Sequence, residues 1–241
     1  MHLSVIVPAY NEEKSLAHNI KKFSKYLSCQ PYNYEIIIVN DGSTDKTAAI
    51  MQELALSIKN LHLINNQINR GKGFAVRQGL LAAKGEYRLF IDADGATAIE
   101  HIDKIWPHFK KGCSVVIGSR HPKDAAEARI EIAQPFWKIF LGKFGNFLIR
   151  KTLISGIWDT QCGFKAFTAE AVKNILPKTK INRWAIDIEL LAIAKKLNYK
   201  IGKIPVRWTD AGYSRVKIQG YFSTLKEAGK IKWNLITNKY K

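Results

Sequence analysis

The chain has 241 residues, 46% of them hydrophobic and 24% charged. That suits one sizeable α/β domain with a real core and excludes a disordered polyelectrolyte. Lys and Arg outnumber Asp and Glu 38 to 20, a net charge of +18, which points to an anionic partner: nucleic acid, an anionic membrane or phosphorylated ligands.

Short apolar runs alternate with helix-period segments from the N-terminus to about residue 118. Strands are expected at Leu3–Val7, Glu35–Val39, Leu61–Ile64, Tyr87–Ile91 and Ser114–Ile117. Between the first two, Leu16, Ile20, Phe23 and Leu27 recur at helical spacing, with Asn11 as the expected N-cap. Ser43 or Thr44 is placed to cap a second helix carrying Ala48, Met51, Leu54 and Ile58, and further helices are expected over Gly71–Ala83 and Ile99–Phe109. This β-α-β alternation predicts a mostly parallel sheet covered by helices. After Arg120, residues 121–133 read as a mobile polar loop. Pro135 then opens an aromatic, basic helical segment to about residue 151, with Phe136, Trp137, Phe140, Phe144 and Phe147 among Lys138, Lys143 and Arg150. Strands near Phe164–Phe167 and Ile201–Val206, a helix over Ala185–Leu197 and a basic amphipathic helix from about Gly220 complete the chain. The expected organisation is one domain over 1–241, made of a first half (1–118), a second half (119–210) and a basic C-terminal segment (211–241).

Open α/β sheets bind ligands beyond the carboxyl ends of their strands. Here four such ends are polar: Pro8-Ala9-Tyr10-Asn11-Glu12, Asn40-Asp41-Gly42-Ser43-Thr44-Asp45, Asp92-Ala93-Asp94-Gly95 and Gly118-Ser119-Arg120. Asp92 and Asp94, one residue apart after an apolar strand, would repel each other if both were ionised and unpaired. A divalent cation removes that conflict, and hard carboxylate oxygens favour Mg²⁺ or Mn²⁺. Gly71 and Gly73, with Arg70 and Lys72, permit close backbone approach at a helix start, where amides and basic side chains favour phosphate.

Together these motifs, with Asn69-Arg70-Gly71-Lys72-Gly73, resemble the inverting family 2 glycosyltransferases of GT-A fold. The second half, through Asp159-Thr160-Gln161-Cys162-Gly163-Phe164-Lys165 and Arg183-Trp184-Ala185-Ile186-Asp187, resembles the polyprenyl-phosphate glycosyltransferases, nearest to the dolichyl-phosphate β-glucosyltransferases. The resemblance implies a nucleoside-diphosphate sugar donor, UDP-glucose before GDP-mannose, and a dolichyl-type phosphate acceptor. It assigns Pro8, Tyr10, Glu12, Asp41, Arg70, Gly71, Lys72 and Asp92 to the donor, and Asp92 and Asp94 to the metal. Arg120, Arg129, Lys165 and Arg183 are candidates for the acceptor phosphate. Asp94, Arg120, Gln161 and Asp187 are the candidates for catalysis. In the mannose synthases a glutamine stands two residues after the second aspartate; Ala96 stands here, which leaves two protein ligands.

A lipid phosphate is already ionised and needs no strong base, whereas transfer to a glycan hydroxyl, the alternative, would require Asp187 or a neighbour as base. Nucleic-acid binding is not expected, since the acidic strand ends would repel a phosphate backbone. The odd cysteine count reads as free thiols in a reducing compartment. The start lacks a signal-peptide pattern, and no run reaches the roughly 18 apolar residues of a membrane span. The expected location is cytoplasmic, with peripheral docking on an anionic membrane through the basic helices.

Overall fold

The central apolar runs become strands buried on both faces, while Leu61–Asn66, at the sheet edge, is only partly covered. In the computed structural model, which describes residues 1–130, 145–209 and 218–241, the first five are β1 (Leu3–Ala9), β2 (Tyr34–Asp41), β3 (Leu61–Asn66), β4 (Tyr87–Ile91) and β5 (Val115–Ser119). Leu3, Val5 and Val7 enter one core layer, with α1 (Leu16–Ser28), α2 (Thr47–Ser57) and α4 (Trp106–Lys110) on that side. Ile6, Ile37 and Val39 enter the other, under α3 (Lys72–Ala82) and, later in the chain, α6 (Ala169–Ile175), α7 (Ile186–Lys196) and α8 (Ile218–Ile236). This period-2 division between two layers is what fixes register in a sheet buried on both faces.

The remaining strands are β6 (Arg129–Ile130), β7 (Phe164–Thr168), β8 (Ile201–Pro205) and β9 (Arg207–Trp208). The seven-stranded order is β3-β2-β1-β4-β7-β5-β8. All its pairings are parallel except those of β7, which runs antiparallel between β4 and β5. The halves divided at residue 118 in the sequence therefore share one sheet.

Several local expectations change. Asn11 does not cap α1. It lies at positive φ (56°), and its Oδ1 accepts from the Thr44 amide, tying the first strand-end loop to the second. Neither Ser43 nor Thr44 caps α2, which starts after Lys46 with the Thr47 amide donating to Asp45 Oδ1. Residues Ile99–Lys104 form a 3-10 helix and α4 follows separately, with Pro107 in its first turn. Of the loose loop expected over 121–133, residues 131–133 lie outside the described residues, and 121–130 are held in place. The Asp124 carboxylate, with a wholly buried side chain, accepts from Ser119 Oγ, Lys203 Nζ and the amides of Trp158 and Asp159, and β6 pairs in parallel with β9. Of the aromatic segment expected from Pro135, Phe136, Trp137, Phe140 and Phe144 lie outside the described residues; α5 (145–152) is helical. Among the described residues, no helix is long and apolar enough to cross a membrane. Cys29, Cys113 and Cys162 are free thiols.

Candidate active site

The parallel strands end together, so their polar termini converge. The centre of the cluster is a chain of alternating charges. Lys165, on β7, has no exposed surface; its Nζ donates to Asp187 Oδ1 at 2.5 Å and to the Cys162 carbonyl at 2.6 Å. Asp187, in the first turn of α7, meets Lys72 through its other oxygen at 3.5 Å, and Lys72 in turn pairs with Asp92 Oδ1 at 2.7 Å. Burial works against the Lys72 charge, but Asp187 and Asp92 outweigh it and raise its pKa, so the ammonium is firmly held.

Asp94 sits beyond Asp92 in a turn closed by its own Oδ1 accepting from the Ala96 amide at 2.9 Å. Burial, then the charge of Asp92, pushes the Asp94 carboxyl up to about 6, with Glu12 adding to the rise. Even beside Lys72 the pair is thus short of positive charge. Two hard carboxylates in that state fit a divalent cation. Among the described residues no group of three or more His, Cys, Asp or Glu side chains is placed to hold a metal. Ala96 offers no side-chain ligand, and its carbonyl accepts from the Thr209 amide at 3.0 Å.

Gly163 makes room for Asp92. A Cβ there would stand 1.8 Å from Asp92 Oδ2, and the Gly163 carbonyl accepts from the Asp92 amide at 3.1 Å. This residue was not singled out from the sequence, although it lies inside the Asp159–Lys165 motif.

Gly71 and Gly73 play a different part from the one expected. A Cβ on either would collide with backbone of Ile181–Arg183, the segment that leads into Asp187. The Gly73 and Phe74 amides donate to the Arg183 and Asn182 carbonyls, and the Gly71 amide donates to Asp41 Oδ2. With these amides occupied, the start of α3 is no open phosphate cradle. Its glycines instead let the 181–183 segment lie against it, fixing Lys72 relative to Asp187. Asp41, only 2% exposed, also accepts from the Arg70 amide at 3.0 Å, so its carboxylate shapes this loop.

Arg120 forms a bidentate pair with Asp159: Nε to Oδ2 at 2.7 Å, Nη2 to Oδ1 at 2.9 Å, with the Arg120 amide also on Oδ2. Burial alone would raise Asp159, but the Arg120 guanidinium overrides it and holds the carboxyl near 2. Arg120 thus reaches the site with two of its donors engaged, and its guanidinium lies 5.6 Å from the Trp208 ring. Cys162, beside it, has its thiol pushed up to about 12 by burial.

The structure therefore brings together Glu12, Lys72, Asp92, Asp94, Arg120, Lys165 and Asp187. Gln161 is exposed, as is Arg183, whose backbone packs on Gly71. Tyr10 is exposed and Pro8 half-buried at the end of β1. Lys165 differs from expectation: fully buried and doubly bonded, it does not face the open cleft and instead positions Asp187. Arg129 is exposed on β6. A groove of about 520 Å³ touches Gly95 and Ala96 but is lined by Lys22, Glu100, Lys104 and Arg207, with none of the expected site residues.

Sequence reasoning also missed Asp124 and Glu189. Glu189 is buried on α7 and accepts from the Lys180 and Ile181 amides and from Tyr240 Oη, bracing the segment that packs on Gly71 and Gly73. For Glu189, an acidic residue inside an apolar helix was the available signal.

Known proteins are similar to this chain in sequence and in fold. Residues 4–176 match the sequence profile of glycosyl transferase family 2. The chain is 38% identical to the dolichyl-phosphate beta-glucosyltransferase ALG5A of Trichomonas vaginalis, over 96% of this chain and 73% of that protein. It is 36% identical to the human dolichyl-phosphate beta-glucosyltransferase, over 89% of this chain and 69% of that one. Among solved structures, glucosyl-3-phosphoglycerate synthase of Mycobacterium tuberculosis, in complex with Mn²⁺, UDP and phosphoglyceric acid, aligns with a TM-score of 0.69 at 16% identity, covering 99% of this chain and 78% of that one. S. aureus TarS 1–349 in complex with UDP-GlcNAc aligns at 0.59 and 18%, covering 96% and 66%. At these identities the two structures speak to the fold alone.

Proposed function

From the premise that the chain belongs to glycosyl transferase family 2 and is a hexosyltransferase, we propose that it transfers glucose from UDP-glucose, with inversion, to a dolichyl-type polyprenyl phosphate. The observation that carries the choice of acceptor is the state of Asp187. A glycan hydroxyl must lose its proton to a base during transfer. Asp187, where such a base would stand, is 3% exposed, with one oxygen on Lys165 and the other facing Lys72. A phosphate acceptor brings its own anionic oxygen and needs no such base.

On this reading Asp92 and Asp94 hold Mg²⁺ or Mn²⁺, which supplies charge to the departing diphosphate. Lys72 adds a cation on the same side. Pro8, Tyr10 and Glu12 line the end of β1 on the nucleoside side, while Asp41 sets the Arg70–Gly71 backbone beside them. Arg120, backed by Asp159, faces the acceptor phosphate together with Arg183, and Gln161 touches the sugar. Two cationic groups that hold two anionic reactants in line supply orientation. The names of the curated relatives support glucose and dolichyl phosphate; a GDP-mannose donor is the alternative. On the same reading the enzyme works at a membrane surface, on the cytoplasmic face.

The test is transfer by purified protein with Mg²⁺ or Mn²⁺, pairing radiolabelled UDP-glucose or GDP-mannose with a polyprenyl phosphate. Label in the lipid extract from UDP-glucose is expected. Tight donor binding without lipid product, but with transfer to a sugar hydroxyl, would overturn the acceptor assignment.

A further inference from the structure

The backbone that leads into α7 is gripped by three helices. On the α3 side, its Asn182 and Arg183 carbonyls accept from the Phe74 and Gly73 amides at 3.0 and 3.1 Å. Arg77 of α3 adds side-chain bonds to Thr179 Oγ1 and Asn182 Oδ1. Two carboxylates take the free amides of the same segment. Glu189 of α7 accepts from the Lys180 and Ile181 amides at 2.9 Å each, and Glu227 of α8 accepts from the Ala185 amide at 2.9 Å. The chain from 180 to 185 is thus held at both ends and in the middle, two residues short of Asp187.

Placing Glu189 there costs the fold. It has no exposed surface, and burial pushes its carboxyl upward. An apolar side chain would pack on α7 without that cost. The Tyr240 hydroxyl, followed by the two amides, opposes the rise. Beyond α8, Asn238 takes positive φ (58°), which asparagine tolerates, and the Lys239 amide donates to the Asn234 carbonyl. This turn sends Tyr240 back into the core, where it is 1% exposed. Its Oη accepts from Asn234 Nδ2 at 3.3 Å and donates to Glu189 Oε1 at 2.7 Å. With a donor on one side and a carboxylate on the other, the hydroxyl proton points to Glu189.

We propose that Tyr240 is a positioning residue for sugar transfer: through Glu189 its hydroxyl fixes the 180–185 backbone, and through that backbone the placement of Lys72 against Asp187. The route runs from Tyr240 Oη to the Glu189 carboxylate, the Lys180 and Ile181 amides, the Asn182 and Arg183 carbonyls, and the amides of Gly73 and Phe74 beside Lys72. Each non-covalent link is 3.1 Å or shorter. The inference rests on the reading of Lys72 as the cation at the departing diphosphate. A misplaced ammonium there weakens the transition state more than either bound substrate.

Tyr240→Phe removes the hydroxyl and keeps the ring in the core. Its kcat for transfer to polyprenyl phosphate is expected to fall about tenfold, with both KM values within about twofold. Amide hydrogen exchange followed by mass spectrometry should quicken over 179–185 and stay as it was in β1 and β2. Tyr199→Phe is the control. It loses a hydrogen bond of the same kind, from Asn174 Nδ2 at 2.7 Å, and neither residue bonds the 180–185 backbone. It should leave kcat and the exchange of 179–185 unchanged. In Glu189→Gln, adding Tyr240→Phe should cost about twofold or less, because the two residues act in series. Unchanged kcat in Tyr240→Phe overturns the proposal, as does a loss confined to KM. An equal fall in Tyr199→Phe would also overturn it, by showing general loosening. If the wild type transfers no sugar, the proposed reaction falls and exchange alone decides the positioning: protection of 179–185 that Tyr240→Phe leaves intact then overturns it.

Discussion

Lys72 Nζ stands 2.7 Å from Asp92 Oδ1, so a cation of the protein already occupies one of the two carboxylates assigned to the metal. A divalent ion binding there works against the Lys72 charge. At about 4 Å and an effective dielectric near 20, two unit charges interact by roughly 4 kcal/mol, and relaxation of the lysine side chain toward Asp187 reduces this. Lys72→Met should therefore tighten Mn²⁺ binding to the donor-free protein by at least about tenfold, while sugar transfer falls for want of the ammonium. Mn²⁺ titration followed by electron paramagnetic resonance measures the first effect. Unchanged or weaker Mn²⁺ binding would sink the idea that the two cations compete.

Gly163→Ala gives a sharper test of Asp92 than its removal does. The new Cβ would meet the end of the Asp92 side chain, a group that can rotate away, and Gly163 does not lie at positive φ. The expected result is a displaced carboxylate in a protein of nearly unchanged stability. Transfer should fall by about a hundredfold or more, as it should in Asp92→Asn and Asp94→Asn. A thermal melt alongside the transfer assay separates the two effects, and an active Gly163→Ala protein would show that the Asp92 position does not matter.

Asp94 and Asp159 should give opposite pH dependences. The Asp94 carboxyl sits near 6 in the folded protein against an ordinary 3.8, mainly through burial and the Asp92 charge. Between those values the folded state holds a proton that the unfolded state has lost. The contribution to stability is full below about 4 and is lost as pH rises through 6. Asp159, held near 2 by Arg120, stabilises above its ordinary 3.8 and loses that contribution as pH falls toward 2. Urea denaturation of Asp94→Asn should show a flatter decline in stability from pH 4 to 6 than the wild type. Mn²⁺ affinity should rise to about pH 6 and then level.

How far this site was legible depends on whether its signals were local. The strand-end motifs were readable because an apolar run followed by Asp92-Ala93-Asp94 marks both a strand and its stop. The antiparallel insertion of β7 between β4 and β5 was not, since pairing partners so far apart leave no local periodicity. Gly71 and Gly73 were legible as sites of close approach, but not what approaches them: the 181–183 backbone is more than a hundred residues away in sequence. Asp124 looked like one charge in a polar loop, and only its four converging donors reveal an anchor. In α8 the helical period was plain, but not which apolar residues pack inward: Ile231 is buried and Trp233, two residues on, is exposed.

The Arg120–Asp159 pair calls for a substitution that keeps the charge. Arg120→Ala would leave Asp159 buried and unpaired, a loss of about 3–5 kcal/mol, which would mask any effect on substrate. Arg120→Lys keeps a cation but loses the two-pronged contact. Its expected signature is a KM for polyprenyl phosphate raised about tenfold or more, with the KM for donor within about twofold. A defect confined to the donor would move Arg120 out of the acceptor role.

Asp187 decides between the two acceptor classes, and its partners say what to measure. Asp187→Asn removes the counter-charge that Lys165 and Lys72 share, and Lys165 has no exposed surface through which water could compensate. Burial of an unpaired ammonium should destabilise the protein by several kcal/mol and slow transfer. That loss by itself would not mark a base, because a positioning residue gives it too. The shape of the pH–rate profile separates the roles. If Asp187 only orients Lys72, the residual activity of Asp187→Asn should keep the acidic limb of the wild-type profile. Abolition of that limb, together with rescue of transfer by added formate, would identify a proton acceptor and turn the reaction toward a hydroxyl.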